Sequence, residues 1–227
     1  MIEQHVKSIL QGASSRIMAK KIMVSIIGIA LICIGVAFNN NTLFGNDPVG
    51  ILYDGVRTTF NFSRAELGII SNYINIGLIL LLLFFGRKYV NLGTVLYLIP
   101  YGLLVSFGGQ LYEFLFDNSI LMHRISGGLA GCILLYTGLG LFVASNIGVD
   151  PFTGLMLALR DKTKWSISRA KVTMDLSLIV IGFLLGGKFG VITIFTALTT
   201  GPAIQYLSQF FDKKLFKEKP KNVEEAV

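Results

Sequence analysis

The sequence predicts an all-α polytopic membrane protein: six transmembrane helices arranged as two inverted three-helix repeats, each with a short helix after a GxDP motif. Three observations predict it. The 227 residues are 53% apolar and only 15% charged, with a mean hydropathy of +0.67, more apolar surface than a soluble domain of this size can cover. The tetrapeptide Gly45-Asn46-Asp47-Pro48 returns 103 residues later, at 148 rather than 45, as Gly148-Val149-Asp150-Pro151. The same offset pairs Gly28 with Gly131, Gly35 with Gly138 and Leu52 with Leu155, so the chain reads as a duplication. Finally, the basic residues fall unevenly on the two sides that such spans would define.

Taken in order, residues 1–19 read as a cytoplasmic leader, 20–116 as the first membrane repeat, 117–212 as the second, inverted one, and 213–227 as a charged cytoplasmic tail. The first apolar run, 22–40, follows Lys20-Lys21 in the manner of a signal peptide. Its glycines recur in the fourth run, which marks it as a retained structural helix. Further runs at 67–86, 92–115, 121–146, 171–187 and 189–211 approach the ~20 residues that cross ~30 Å of hydrocarbon. Segments 49–59 and 152–160 are too short to cross. Each opens on Asp-Pro, where the carboxylate can accept from the free first-turn amides and Pro leaves no amide unpaired. Two depths stay open for these short helices: in the interface as simple capped helices, or dipped into the membrane as half-helices lining a cavity.

Charge orients the spans. With the N-terminus in the cytoplasm, Arg57, Arg64, Arg124 and Lys188 fall outside and the other sixteen of the 20 basic residues fall inside, a strong positive-inside bias. Both termini are then cytoplasmic. Three spans per repeat is an odd number, so the second repeat enters the membrane upside down. The net charge of +7 reflects loops and tail facing anionic lipid and calls for no nucleic acid.

Catalytic signatures are missing: no P-loop, dinucleotide fingerprint, Ser-His-Asp arrangement or HExxH stands in the sequence. The expectation is a protein that is not an enzyme, without catalytic residues, cofactor or metal. Cys33 and Cys132 lie inside predicted spans and read as small core thiols. Polar groups at membrane depth are costly and mark where function would sit. Asn72 and Asn75 lie one turn apart, able to point at one cavity or one neighbouring helix. At the repeat offset Asn72 falls opposite Asp175. That carboxylate either pairs with Lys171 one turn earlier or faces a cavity as a coupling group. Asp47, Pro48, Asp150 and Pro151 at the short-helix starts, Arg64 and Arg169 in the repeated Ser-Arg-Ala, and Thr193 ahead of Gly201-Pro202 complete the candidate substrate- or ion-binding set.

The doubled GxDP motifs, the Ser-Arg-Ala starts at Ser63 and Ser168, the run Leu184 to Gly190 and the Thr-rich helix into Gly201-Pro202 resemble bacterial membrane proteins of the YczE/YyaS/YitT type, over roughly residues 20–212. The resemblance implies a bacterial plasma-membrane location and small-molecule export or an accessory role in secondary metabolism. The first repeat departs from it at Phe84 to Gly93. The expected function is a small-molecule transporter binding its substrate near the midplane between the repeats, coupled to protons or cations. The alternatives are a substrate-binding subunit or channel needing a partner, and a non-transporting scaffold. Its surroundings are lipid, and a homo-oligomer is compatible with the sequence.

Overall fold

A computed structural model describes residues 2–216, and the side chains of residues 15–216 other than Ser168. Among the described residues the chain is helical throughout. Its elements are α1 (Ile2–Thr42), α2 (Pro48–Thr59), α3 (Leu67–Phe85), α4 (Leu92–Leu115), α5 (Leu121–Ser145), α6 (Pro151–Thr163), α7 (Ile167–Leu184) and α8 (Val191–Phe211), closed by a wider turn over Asp212–Phe216. The expected leader is continuous with the first span, since α1 already begins at Ile2. The tail lysines Lys217, Lys219 and Lys221 lie outside the described residues.

Local chemistry sets the boundaries. Ser166 accepts from the Arg169 amide and starts α7 four residues before the expected 171, because a hydroxyl N-cap satisfies an amide that the first turn leaves free. Asn91 caps α4 in the same way through the Thr94 amide. Among the described residues, four helices are long and apolar enough to cross a membrane: Ser15–Thr42, Arg64–Phe85, Leu92–Leu115 and Leu121–Ser145. Six had been expected. In length α7 and α8 come close, with 18 and 21 residues, but Arg169, Lys171, Asp175 and a series of threonines make them more polar.

The bundle is organised around the crossing of α1 and α5. A Cβ at Gly28 would strike the Gly138 carbonyl, and one at Gly35 the Gly131 carbonyl, so the two backbones touch at two points seven residues apart. Gly28 meets the later glycine of α5 and Gly35 the earlier one, so the helices run antiparallel. Glycine is what permits that approach, and dispersion across it is what holds helices together in lipid. α4 packs on α1 and α8 on α5, while α2 lies on α7 and α6 on α3. Each short helix therefore rests on the other half of the chain.

The loops before the short helices are tied across the halves as well. Phe44 accepts from the Ile192 amide at 3.0 Å, and Ile147 from the Gly93 amide at 3.2 Å. Gly45 and Gly148, both with positive φ (+93° and +156°), lie against the start of α8 and the start of α4. The correspondence fails in one place: α3 packs along α4, but α7 does not pack along α8. Gly102 on α4 is covered by Gly68 and Asn72, whereas its repeat counterpart on α8, Gly201, has open space over it.

Candidate functional site

The two Asp-Pro helix starts come together. A cavity of about 90 Å³ lies where α2 and α6 begin, lined in counterpart pairs by Ile32 and Leu135, Val36 and Leu139, Asp47 and Asp150, and Val49 and Phe152. Tyr101 on α4 is matched by Thr200 on α8, and Tyr97 and Thr153 complete the wall. The space accommodates a few waters or one small guest, since a single water needs only ~10–15 Å³ of such volume. Two helix N-termini bring partial positive charge to it, and two carboxylates answer that charge.

Those carboxylates are not equivalent. Asp150 accepts from the amides of Phe152 and Thr153, both at 3.0 Å, and from the Thr153 hydroxyl at 2.5 Å. It caps α6 as the sequence leads one to expect. Asp47 forms no side-chain cap on α2, and its Oδ1 is buried without a partner. The cause is Asn46, which stands where the second half has Val149. Its Oδ1 accepts from the Asp47 amide at 3.0 Å, and its side chain lies over Gly50. Asn46 Nδ2, Asn39 Nδ2 and Asn40 Oδ1 are likewise buried and unpartnered. Exposure separates the two loops too, with Gly45 to Pro48 buried and Gly148 to Asp150 half-buried.

Pro48 and Pro151 occupy the first turns of α2 and α6 as expected. Asn72 and Asn75 part company: Asn72 accepts from the Gly102 amide on α4 at 3.0 Å, and Asn75 from the Tyr53 hydroxyl on α2 at 3.0 Å. Pro100 stands inside α4 two residues before Gly102. Asp175 is absent from the cavity wall; both its oxygens accept from Lys171, at 2.6 and 2.5 Å. Thr193 is fully buried, its hydroxyl accepting from the amides of Asn46 and Gly190, both at 3.2 Å, so it ties a loop to a helix start. Arg169 lies over the Trp165 ring.

Sequence reasoning missed the tyrosines. The rings of Tyr53, Tyr101 and Tyr97 follow one another at 5.9 and 4.8 Å between centroids, and Phe152 closes on Tyr53 at 5.8 Å. Tyr97 and Tyr101 stand one turn apart on α4, a spacing that could have drawn attention to them. Their counterparts on α8, Thr196 and Thr200, are small.

The two ends of the bundle differ electrostatically. At the end where α1 finishes, Arg64, Arg57 and Arg124 all act on Lys188, with Asp54 as the opposing charge; burial first and those cations next lower Lys188 below the ordinary lysine range. Asp54 is committed to Arg57 at 2.8 Å and to the Lys188 amide at 2.9 Å. At the other end Lys88, Tyr89 and Arg160 converge on Asp161 and hold its carboxyl well below the usual range. Among the described residues no group of three or more His, Cys, Asp or Glu could hold a metal ion.

Long apolar helices with outward-facing Leu, Ile and Phe side chains, crossing on glycine and enclosing a small cavity that holds two carboxylates, define an integral membrane protein. Residues 19–209 match the model of a family of unknown function, DUF6198, and the chain belongs to that family, of the YczE type. It is 23% identical to the uncharacterized membrane protein YczE of Bacillus subtilis (strain 168), over 79% of this chain and 81% of that protein. It is 28% identical to an uncharacterized protein of Haemophilus influenzae, over 82% of this chain and 83% of that one. No solved structure matches.

Proposed function

We propose that this protein is a small-solute transporter of the bacterial plasma membrane, with both termini cytoplasmic, built from two inverted repeats that rock about the cavity. The observation that carries the reading is the unequal pair Gly102 and Gly201, one covered and one bare. The α1 and α5 crossing supports the inversion. Exchanging Gly28 with Gly131 and Gly35 with Gly138 turns one of its two contacts into the other, as a two-fold axis between the helices would. Since the helices are antiparallel, that axis is perpendicular to them and lies in the membrane plane.

Sidedness has independent support. The four basic residues expected outside gather at one end around Lys188, while Lys88 and Arg160, expected inside, meet at Asp161. Outward-facing Val172, Leu176, Val180, Leu198 and Phe195 favour α7 and α8 as further spans in spite of their polar residues. Their apolar faces suit lipid, and their threonines and Asp175 suit a wet gap between them. With the external ends of α3 and α4 closed and the cytoplasmic ends of α7 and α8 apart, this conformation is open to the cytoplasm. Exchanging the conformations of the repeats gives the outward-open state. We assign the protein no enzymatic chemistry.

The test uses Thr200→Cys in a background lacking Cys33 and Cys132, probed with membrane-impermeant thiol reagents in vesicles of either orientation. Thr200 should react from both faces. Adding Gly201→Leu, which obstructs closure of α7 on α8, should confine reaction to the cytoplasmic face. Reaction from both faces in both backgrounds would indicate a passive channel, and reaction from one face throughout would indicate a scaffold.

A further inference from the structure

Among the described buried carboxylates, Asp47 is the one with neither a cation of its own nor a side-chain hydrogen bond to Oδ1. Asp54, Asp150, Asp161 and Asp175 are each committed to a cation or to amide and hydroxyl donors. Asp47 is 8% exposed, lines the central cavity and keeps Oδ1 without a partner. The charged groups facing it are few. Lys171 and Asp175 on α7 act on it from a distance, but the Lys171 ammonium is already taken by both Asp175 oxygens. Asp150 looks across the same cavity and is itself a carboxylate. Tyr53, Tyr97 and Tyr101 on α2 and α4, and Tyr136 and Cys132 on α5, are the other titratable groups in its surroundings. The amides of Val49 and Gly50 pull on Asp47, though not in cap geometry.

A buried carboxylate with no cation of its own is far less costly as the neutral acid than as the anion. Two carboxylates sharing one small space also disfavour double ionisation, and the proton goes to the partner with fewer donors. Asp150 has three donors, which leaves the proton on Asp47. Resting on the transporter reading, we propose that Asp47 is the coupling residue, and that it carries one proton in this conformation and exchanges it with cavity water when the repeats rock. On release the Asp47 O–H bond breaks, water takes the proton as hydronium, and the carboxylate stays behind; uptake reverses these steps. The first repeat thus supplies the exchangeable proton, and the second a carboxylate held in place by its three donors.

The test needs no substrate. A hydrophobic carbodiimide adds to a protonated carboxyl in an apolar setting, giving an acylurea that stays on the residue. The full-length protein in detergent is treated with dicyclohexylcarbodiimide across a pH series and mapped by peptide mass spectrometry. Modification should fall on Asp47 and not on Asp150 or Asp175, and should decline about tenfold per pH unit above the carboxyl's midpoint. Asp47→Asn should abolish it and Asp150→Asn should leave Asp47 reactive. Because the wild-type map locates the modified residue, the result stands even if Asp47→Asn fails to fold. Modification elsewhere, none at Asp47 at any pH, or protection by sodium or potassium at constant pH overturns the proposal, the last by making the site a metal-cation site. Thr200 labelling without alternation, beside a reactive Asp47, would remove the transporter reading and leave the proton site standing.

Discussion

Two aspartates at matching places in a duplicated motif do different work, and single substitutions separate them. Asp150→Ala removes three hydrogen bonds at the start of α6 and should cost about 1 kcal/mol through the lost cap, more where the half-buried amides find no water. Asp47→Asn keeps the shape and removes an unbalanced carboxyl, so it should leave stability unchanged or raise it. Thermal unfolding of the two variants in one detergent decides, and a larger loss for Asp47→Asn than for Asp150→Ala would contradict the assignment. The Asp-Pro signal was legible because capping needs only adjacent residues. Its failure at Asp47 was not, because it depends on how the Asn46 amide falls over Gly50, a matter of tertiary packing. Asp175 looked like the functional carboxylate because sequence ranks buried charge by position in a span, and the sequence equally allowed the Lys171 partner that it has.

At the level of elements, glycine positions carry the most testable content. Gly35→Val sets a branched side chain against the α5 backbone at Gly131 and Leu135. Backbone cannot yield as a side-chain end can, so the variant should lose at least the ~1–3 kcal/mol typical of overpacking, read as lowered Tm and monodisperse yield. Gly201→Ala meets nothing in this conformation and should leave Tm and yield unchanged, and Gly102→Ala should not. The tether of α6 to the turn before α4 has a pH signature. Lys88 foremost, then Tyr89 and Arg160, depress the folded Asp161 carboxyl, so its contribution is present above the unfolded value near ~3.9 and is lost as pH falls toward the folded one. Asp161→Asn should therefore flatten the acid limb of a Tm-against-pH curve. Apart from the start of α1, which runs back to Ile2 through the expected leader, helix limits were readable within a few residues, since apolar runs and caps are local. The pairing of each short helix with the opposite half was not, because the two partners lie far apart in the chain.

On the scale of the whole molecule, the proposed rocking of two repeats would make a second conformation derivable from the first. The Ser106 hydroxyl reaches the Ala65 carbonyl at 3.4 Å, joining α4 to the turn that leads into α3. Their repeat counterparts are Gln205 and Ala170, on helices that do not pack along one another. Under the rocking reading the two pairs exchange roles, and that exchange can be trapped. In the cysteine-free background, Ala65→Cys with Ser106→Cys should cross-link readily and hold the protein open to the cytoplasm, so that Thr200→Cys reacts from that face alone. Ala170→Cys with Gln205→Cys should cross-link slowly, limited by the closing motion, and should transfer reactivity to the external face. Both cross-links draw on local geometry, but only alternation makes each control access to a residue in the cavity wall. If neither changes the face from which Thr200→Cys is labelled, the difference between Gly102 and Gly201 is a fixed asymmetry of the fold, and the halves do not rock.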